Sequence, residues 1–422
     1  ARRRGYRATT VPTTPATLAY ALERFGTFSL ARALEPAIAL AENGVVVSQL
    51  LSSLMAREAK HLRRFTGGSV FLKDGRPYRP GDTLTQPALA DTLRRLARNG
   101  VKSFYSGQIA RVIHDDMSRN DGLLQRDDLA RTPWPLERRP VVTRFQGRRV
   151  VTFPPPGAGR ALIEILNILE HFTDKQREFD TPDGALALAA AIQQAARDRQ
   201  DRPFDPNFYQ QVTGRHMLSS KFAKQRAGEI RKRIQTQGET THLSVFDKDG
   251  SVVALTQSIE RVFGSCVVTP ELGFLYNNYM SAFEYEDISH PYYMRPNAAP
   301  WASVAPTIVY RGKRPWLALG SPGSERIVST VAQVLLRLNN HTPFDAVAAP
   351  RLHCSLEGVV SLEASRFRND VPLALERVGF TIDRREPLSF YLGCVQLAMR
   401  ERHGFVGVAD PRRDGSAEGP VR

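Results

Sequence analysis

Residues 219–246 change character within a few positions, and that junction limits what the chain can be. From Lys221 through Lys224, Arg226, Glu229, Arg231, Lys232 and Arg233 to Glu239 the sequence is polar and charged, as expected of an exposed helix that ends in a loose linker. Directly after it come Thr240-Thr241-His242 and an alternating pattern. Leu243, Val245 and Phe246 precede Asp247-Lys248-Asp249-Gly250, and Val252, Val253, Leu255 and Ser258 follow, which reads as a hairpin. A threonine hydroxyl is a weak nucleophile at neutral pH and requires an adjacent base. If the chain is cut before Thr240, the new α-amino group, with a pKa of roughly 7.7–8.0, can be that base. A residue at the start of a core strand is also held firmly against a substrate. Taken locally, Thr-Thr-His before a hairpin is more often a cap or a strand edge, and the junction alone leaves that open.

The rest of the chain predicts a mixed architecture. The first two-fifths read as mostly helical. Leu18, Leu22, Leu30, Leu34, Ile38 and Leu40 recur at near-helical spacing, and so do Leu84, Leu89, Leu93 and Leu96 between Gly81-Asp82-Thr83 and Gly100. A further helix is expected over Ile109–Met117. Near residue 140 the texture changes. Residues 141–145 and 149–153 flank Gln146-Gly147 as strand, turn, strand, and Pro154-Pro155-Pro156-Gly157 ends the second strand. Leu162, Ile165, Leu166 and Leu169 mark one helix, and the alanine-rich run from Ala185 to Arg197 another. Beyond the hairpin, strands are expected over Thr307–Tyr310, Trp316–Leu319, Val359–Leu362 and Gly404–Val408, with a helix over Ile327–Leu338.

Composition excludes several functions. With 422 residues the chain has room for two average domains or one large α/β unit. No apolar run approaches the roughly 18 residues of a membrane span. Cys266, Cys354 and Cys394 have no metal-type spacing and are odd in number, so they read as buried thiols. A net charge of +15 invites nucleic acid as a partner. The basic residues are nevertheless spread along the chain, in short clusters without interleaved aromatics, which points to a solvated basic surface.

Further motifs occur in order around the junction: Asp247-Lys248-Asp249-Gly250, Phe263-Gly264-Ser265, Gly273 to Asn277-Asn278, Ala305-Pro306-Thr307, Gly320-Ser321-Pro322-Gly323 and Ala349-Pro350-Arg351-Leu352-His353. With Thr240-Thr241-His242 they resemble the small subunit of the gamma-glutamyltranspeptidase (glutathione hydrolase) family. Gly81 to Leu84, Phe104-Tyr105-Ser106-Gly107, Gly122-Leu123-Leu124, Asp127-Asp128-Leu129 and the stretch from Pro154 to Glu170 resemble its large subunit, and Gly407 to Arg412 resembles its ending.

The resemblance implies the four-layer αββα sandwich of N-terminal-nucleophile hydrolases. It also implies self-cleavage into residues 1–239 and 240–422, two pieces that stay together as one structural unit. It makes Thr240 the nucleophile and Thr241 its supporting neighbour, and sets Ser258 against the nucleophile's amine. Gly323 and Ser324 stand where the family has two glycines forming an oxyanion hole. Ser303, with Ala302 beside it, matches a pair of serines near the substrate carboxylate, and Asn278 falls in the same substrate-binding set. Departures concentrate on the donor pocket. Ala282 stands where the family usually has an acidic residue for the donor ammonium, Tyr279 where it has Gln or Glu, and Glu260 where it has Asn. A buried ammonium without an anionic partner is costly.

By the resemblance, the arginine that grips the donor carboxylate is expected in a segment preceding residue 1, and Arg7 and its neighbours do not match that motif. The expectation is a fragment of a longer protein, because a sandwich lacking a central element exposes apolar surface. His290-Pro291-Tyr292-Tyr293 replaces the usual lid sequence, either rimming an open pocket or packing on the body. The expected activity is acyl transfer from a gamma-glutamyl or related amide to water or an amine. A homologue with altered or lost activity is the alternative. No metal or organic cofactor is implied, the partners expected are a small amide or peptide substrate and the second cleaved piece, and the family's setting is periplasmic or secreted.

Overall fold

A computed structural model describes residues 3–200, 240–290 and 292–419. The expected exposed helix and linker at 219–239, and Pro291 of the aromatic segment, lie outside the described residues. The chain divides into two compact units, residues 1–137 with 259–281 and residues 138–258 with 282–422. The junction at Thr240 falls inside the second.

The first unit is mainly helical. The leucine-rich opening forms two helices, Thr14–Phe25 and Leu30–Asn43, the second carrying Pro36 within it. Leu84 is not helical as its spacing suggests. It pairs with Val45 in a short two-stranded ladder, and the helix starts at Pro87 and runs to Asn99. The reason is local: proline fits the first turn of a helix, where its missing N–H is not needed, and disfavours helical backbone in the residue before it. A helix Gln108–Arg119 buries Ile109, Ile113 and Met117 against Val267, Leu272 and Tyr276 of the 259–281 segment. Asp116 on the same helix is buried and accepts from Thr269 Oγ1 (2.6 Å) and Asn120 Nδ2 (3.0 Å).

In the second unit we number elements from residue 138. Strands β1 (Val141–Phe145) and β2 (Arg148–Thr152) are followed by helices α1 (Gly159–Leu169) and α2 (Pro182–Gln200). Next come β3 (Thr241–Phe246), β4 (Val252–Gln257), β5 (Thr307–Arg311), β6 (Arg314–Gly320) and helix α3 (Arg326–Arg337). Strands β7 (Leu352–Cys354), β8 (Val359–Leu362), β9 (Thr381–Arg384), β10 (Gln396–Glu401) and β11 (Gly404–Ala409) complete the set. Six strands form one antiparallel sheet in the order β11-β10-β6-β5-β2-β1.

The register gives this sheet two different faces. Val150, Val309, Leu317, Met399 and Val406 stand side by side across it, and Thr307, Leu319, Leu397 and Val408 form the next row. These rows pack with α1, α2 and α3, where Leu162, Ile165, Leu166, Ile327 and Val331 are fully buried. The opposite face carries Ala318, Ala398, Gly407 and Gly320, all small. Side chains that short let a second sheet approach closely, and the β3–β4 hairpin lies there, with Phe246 against Phe405 at 5.6 Å between ring centroids. Helices, six-stranded sheet and hairpin are thus three successive layers within this unit. The three cysteines are buried and unbridged.

Candidate active site

Thr240 directly precedes β3, and alternation decides the rest of that strand. His242, Ser244 and Phe246 turn toward the six-stranded sheet, while Thr241, Leu243 and Val245 are exposed. The hairpin pairs Thr241 with Gln257, so its register continued by one residue sets Thr240 opposite Ser258, directly after β4. The Thr240 hydroxyl oxygen is buried and has no hydrogen-bond partner among the described residues. An unsatisfied buried hydroxyl is unfavourable in a resting fold and calls for an explanation. A groove of about 560 Å³ runs along β3, lined by Thr240 and Ser244 together with Pro322, Cys394, Gln396 and Phe405.

Pro322 leads into the turn that joins β6 to α3. Gly323 has φ +127° and Ser324 φ +50°, and both are buried. Their carbonyls accept from Arg326 N (3.1 Å) and Ile327 N (2.8 Å) as the helix starts, but neither of their own amides donates to any of the described residues. Two consecutive N–H groups of buried residues with no acceptor among the described residues, just ahead of a helix N-terminus, are an arrangement suited to an anion. The turn is braced from behind. Ser321 Oγ accepts from Cys394 N (2.9 Å), and Thr330 Oγ1 and Arg351 Nη1 donate to Leu392 O at 3.0 and 3.3 Å. Gly393 makes the close approach possible, since a Cβ there would lie 2.8 Å from both Ser321 Oγ and Thr330 Oγ1.

The loop 389–395 is held in turn by a buried ionic network. Val395 N donates to Asp410 Oδ2 (2.8 Å), and Asp410 pairs with Arg351 and with Arg412 Nη1 (3.2 Å). Arg412 grips Glu363 as a fork at 2.7 and 2.8 Å, and Glu363 also accepts from Ser389 N (2.9 Å). Burial pulls the Arg351 guanidinium down to about 10, against the attraction of Asp410, so it remains charged at neutral pH.

Ser324 occupies a left-handed backbone position at which a side chain is strained. Ser324→Gly is expected to keep both stability, within about 1 kcal/mol, and turnover, because relief of strain and added unfolded-chain freedom oppose each other. Ser324→Val, with a branched Cβ, is expected to lower both in thermal unfolding and initial-rate measurements.

The structure places the remaining expected residues as follows. Thr240, Thr241, Ser258, Ala282, Ala302, Ser303, Gly323 and Ser324 belong to the second unit, and Glu260, Asn278 and Tyr279 to the first. Ser303 is buried in the segment leading into β5. Asn278 is fully buried, and its amide is taken up by structure: Nδ2 donates to Arg3 O (3.0 Å) and Oδ1 accepts from Arg261 N (3.0 Å). Glu260 has φ +73°, and Tyr279–Ala282 forms a 3-10 turn. The aromatic segment folds on itself, with Glu284 N donating to Tyr292 O (2.9 Å) and Met294 N to Glu284 O (2.8 Å). Among the described residues no cluster of three or more His, Cys, Asp or Glu is placed to hold a metal ion, and no helix is long and apolar enough to cross a membrane. The sequence motifs assign no role to His242. Its place two residues from Thr240, on the same strand face as Ser244, was the available signal.

Comparison with known proteins matches this arrangement to one family. The Gamma-glutamyltranspeptidase family profile covers residues 1–419. This chain belongs to the gamma-glutamyltranspeptidase family. The glutathione hydrolase proenzyme of Escherichia coli (strain K12) is 32% identical over an alignment that covers 96% of this chain and 74% of that protein. The acylase ACY 1 proenzyme of Pseudomonas sp. (strain V22) is 34% identical over an alignment that covers 85% of this chain and 66% of that one. A crystal structure of cephalosporin acylase from Bacillus halodurans superposes with a TM-score of 0.89 at 27% identity, over 99% of this chain and 80% of that chain. The family thus holds proteins named for glutathione hydrolysis and proteins named as acylases, and its N-terminal-nucleophile hydrolase fold is the fold of this chain.

Proposed function

We propose that the chain is a self-processing amidohydrolase or acyltransferase that uses Thr240 as an N-terminal nucleophile. One observation carries this reading: among the described residues the Thr240 hydroxyl is buried without a partner in the groove that Pro322 also lines, and Pro322 leads into a turn whose two amides donate to none of those residues. In the resting precursor these are unmet polar groups; in a reaction they are a nucleophile and an oxyanion site. After cleavage before Thr240, its α-amine accepts the hydroxyl proton as Oγ1 bonds to the amide carbon. The N–H groups of Gly323 and Ser324 donate to the oxyanion, and Ser258, across from Thr240, orients the amine. The tetrahedral adduct expels the amine, which takes the proton, and water or a second amine then releases the acyl group from Thr240. The two pieces, 1–239 and 240–422, remain associated. The four-layer sandwich of the family is supported here by the helix layer, the six-stranded sheet and the hairpin of the second unit.

The donor is the less settled part of the family, and Ala282 and Tyr279 decide our choice. Neither brings a negative charge for a donor ammonium. The expected donor is therefore an acyl amide without that ammonium, as the names of the acylase relatives also suggest. Initial rates on paired anilides test this directly. The glutaryl amide, which is the gamma-glutamyl group without its amine, is expected to show kcat/KM at least ten-fold above the gamma-glutamyl amide, as one unpaired buried ammonium costs roughly 1.4 kcal/mol or more. A preference for the gamma-glutamyl amide reverses the donor choice and returns the chain to glutathione-type substrates.

A further inference from the structure

We infer that His242 is a positioning residue for acyl transfer, holding Thr240 at its working distance from the Gly323-Ser324 turn. The inference rests on Thr240 being the nucleophile. It starts from the small-residue face of the six-stranded sheet. Gly320, the last residue of β6, lacks the atom that would fill the space His242 takes: a Cβ there would lie 2.3 Å from both Nδ1 and Cε1 of the His242 ring. The imidazole therefore sits directly on the backbone that leads into Ser321-Pro322-Gly323.

Its hydrogen bonds fix the other two directions. His242 Nδ1 lies 2.8 Å from Thr256 Oγ1 on β4, and Nε2 lies 3.0 Å from Ser244 Oγ on its own strand. Ser244 Oγ donates its single proton to Gln396 O at 3.2 Å on β10. It can therefore only accept from Nε2–H, which assigns the proton to Nε2 and leaves Nδ1 to accept from Thr256. Both ring nitrogens are satisfied, and burial holds the imidazole pKa down at about 3. A ring that stays neutral with both nitrogens engaged is poorly suited to shuttle protons. What it supplies is fixed geometry.

That geometry joins the parts the reaction needs. His242 is two residues beyond Thr240, Thr256 is two residues before Ser258, and Gly320 immediately precedes the turn that carries the oxyanion amides. Gln396 follows the loop that braces that turn. One rigid ring thus touches, or reaches through Ser244, four strands just where each hands over to a reacting group. Misplacement of a reacting atom by about 1 Å can cost ~100-fold in rate.

The test pairs His242→Asn with Gly320→Ala in the full-length protein, following cleavage before Thr240, kcat, KM and thermal unfolding. His242→Asn can keep the bond to Thr256 but leaves the Gly320 notch empty; kcat is expected to fall roughly 10- to 100-fold with KM within about three-fold. Gly320→Ala displaces the ring and is expected to fall further. The double variant, in which the added methyl occupies the space the shorter side chain leaves, is expected to recover at least ten-fold over Gly320→Ala alone. Thr256→Val removes one hydrogen bond at nearly constant volume, and as the variant least able to disturb folding it should lose kcat by an intermediate factor with unfolding little changed. Wild-type kcat in His242→Asn, no recovery in the double variant, or a loss confined to KM overturns the inference. Thr240→Ala run alongside separates the two levels: activity that survives it overturns the nucleophile reading and this one with it.

Discussion

Replacing Thr240 by alanine is expected to leave the full-length protein as a single uncut chain and to lower acyl transfer by roughly four to six orders of magnitude. The wild type, by intact mass, should give two pieces with a new N-terminus at Thr240. Both effects have one origin. In the proposed mechanism the hydroxyl that attacks the preceding peptide bond during maturation is the one that later attacks the substrate, and the amine that serves as its base exists only after the cut. Thr240→Ser, which keeps a hydroxyl but loses the methyl that restricts χ1, should still mature, more slowly, and retain part of the activity. The base also sets the pH profile of the mature enzyme. An α-amine with a pKa of roughly 7.7–8.0 must be neutral to accept a proton, so kcat/KM should rise with pH through that range and fall below it. His242, buried and held at about 3, is neutral throughout and adds no second limb between pH 5 and 8. A wild type that remains one chain, or a Thr240→Ala variant that still matures, removes Thr240 from the mechanism.

How far the fold and the candidate site can be read from the sequence differs by element and by residue. The β3–β4 hairpin announced itself through alternation and Asp247 to Gly250, both local signals, and the structure pairs Leu243 with Leu255 as the alternation implies. The helices α1, α2 and α3 showed the same way. Strands β7, β9 and β10 did not, because each is short or half buried and is defined by partners far along the chain. Leu84 misled because its spacing fits a helix, whereas Pro87 and the pairing with Val45 decide its backbone. Gly323 and Ser324 are candidates by motif, and what the structure adds is conformational: the positive φ of each residue, and two amides that donate to none of the described residues, cannot be read from residue type. Asn278 shows the reverse. A polar residue in a motif reads as ligand-binding, yet its amide is taken up by Arg3 O and Arg261 N. The packing of His242 on Gly320 and the Glu363–Arg412 pair are not legible in the sequence because each joins segments far apart along the chain, and no local pattern links them.

Glu363→Gln is expected to destabilise the protein by about 3–5 kcal/mol, a large share of the roughly 5–15 kcal/mol that holds a typical domain folded. The side chains of Glu363, Asp410 and Arg412 are all excluded from solvent, with Arg351 nearly so. Taking such charges out of water is expensive, and the network is tolerated because each is met by an opposite charge at hydrogen-bond distance. Glutamine keeps the shape and can still accept from Ser389 N and from one arm of Arg412, so the packing of the loop 389–395 changes little at first. What disappears is the carboxylate that balances Arg412 and, at 2.8 Å, the partly exposed Arg366, leaving the two buried guanidiniums of Arg351 and Arg412 to share Asp410. The damage then reaches the site by a short route, since Asp410 also holds Val395 N, and the loop it anchors braces Ser321 and Gly393 against the amide-bearing turn. Urea unfolding should therefore show a lower midpoint at similar slope, and maturation before Thr240 should slow in parallel. Glu363→Gln combined with Arg412→Met removes both charges and is expected to recover most of the stability, because replacing a whole buried pair is far less costly than breaking one. It is not expected to restore the maturation rate, since the fork that fixes the chain end beneath the loop is gone. A Glu363→Gln midpoint equal to wild type would show that the Glu363 carboxylate is not needed to balance Arg412, and the bracing of the Gly323-Ser324 turn would then rest on Thr330 and Ser321 rather than on this network.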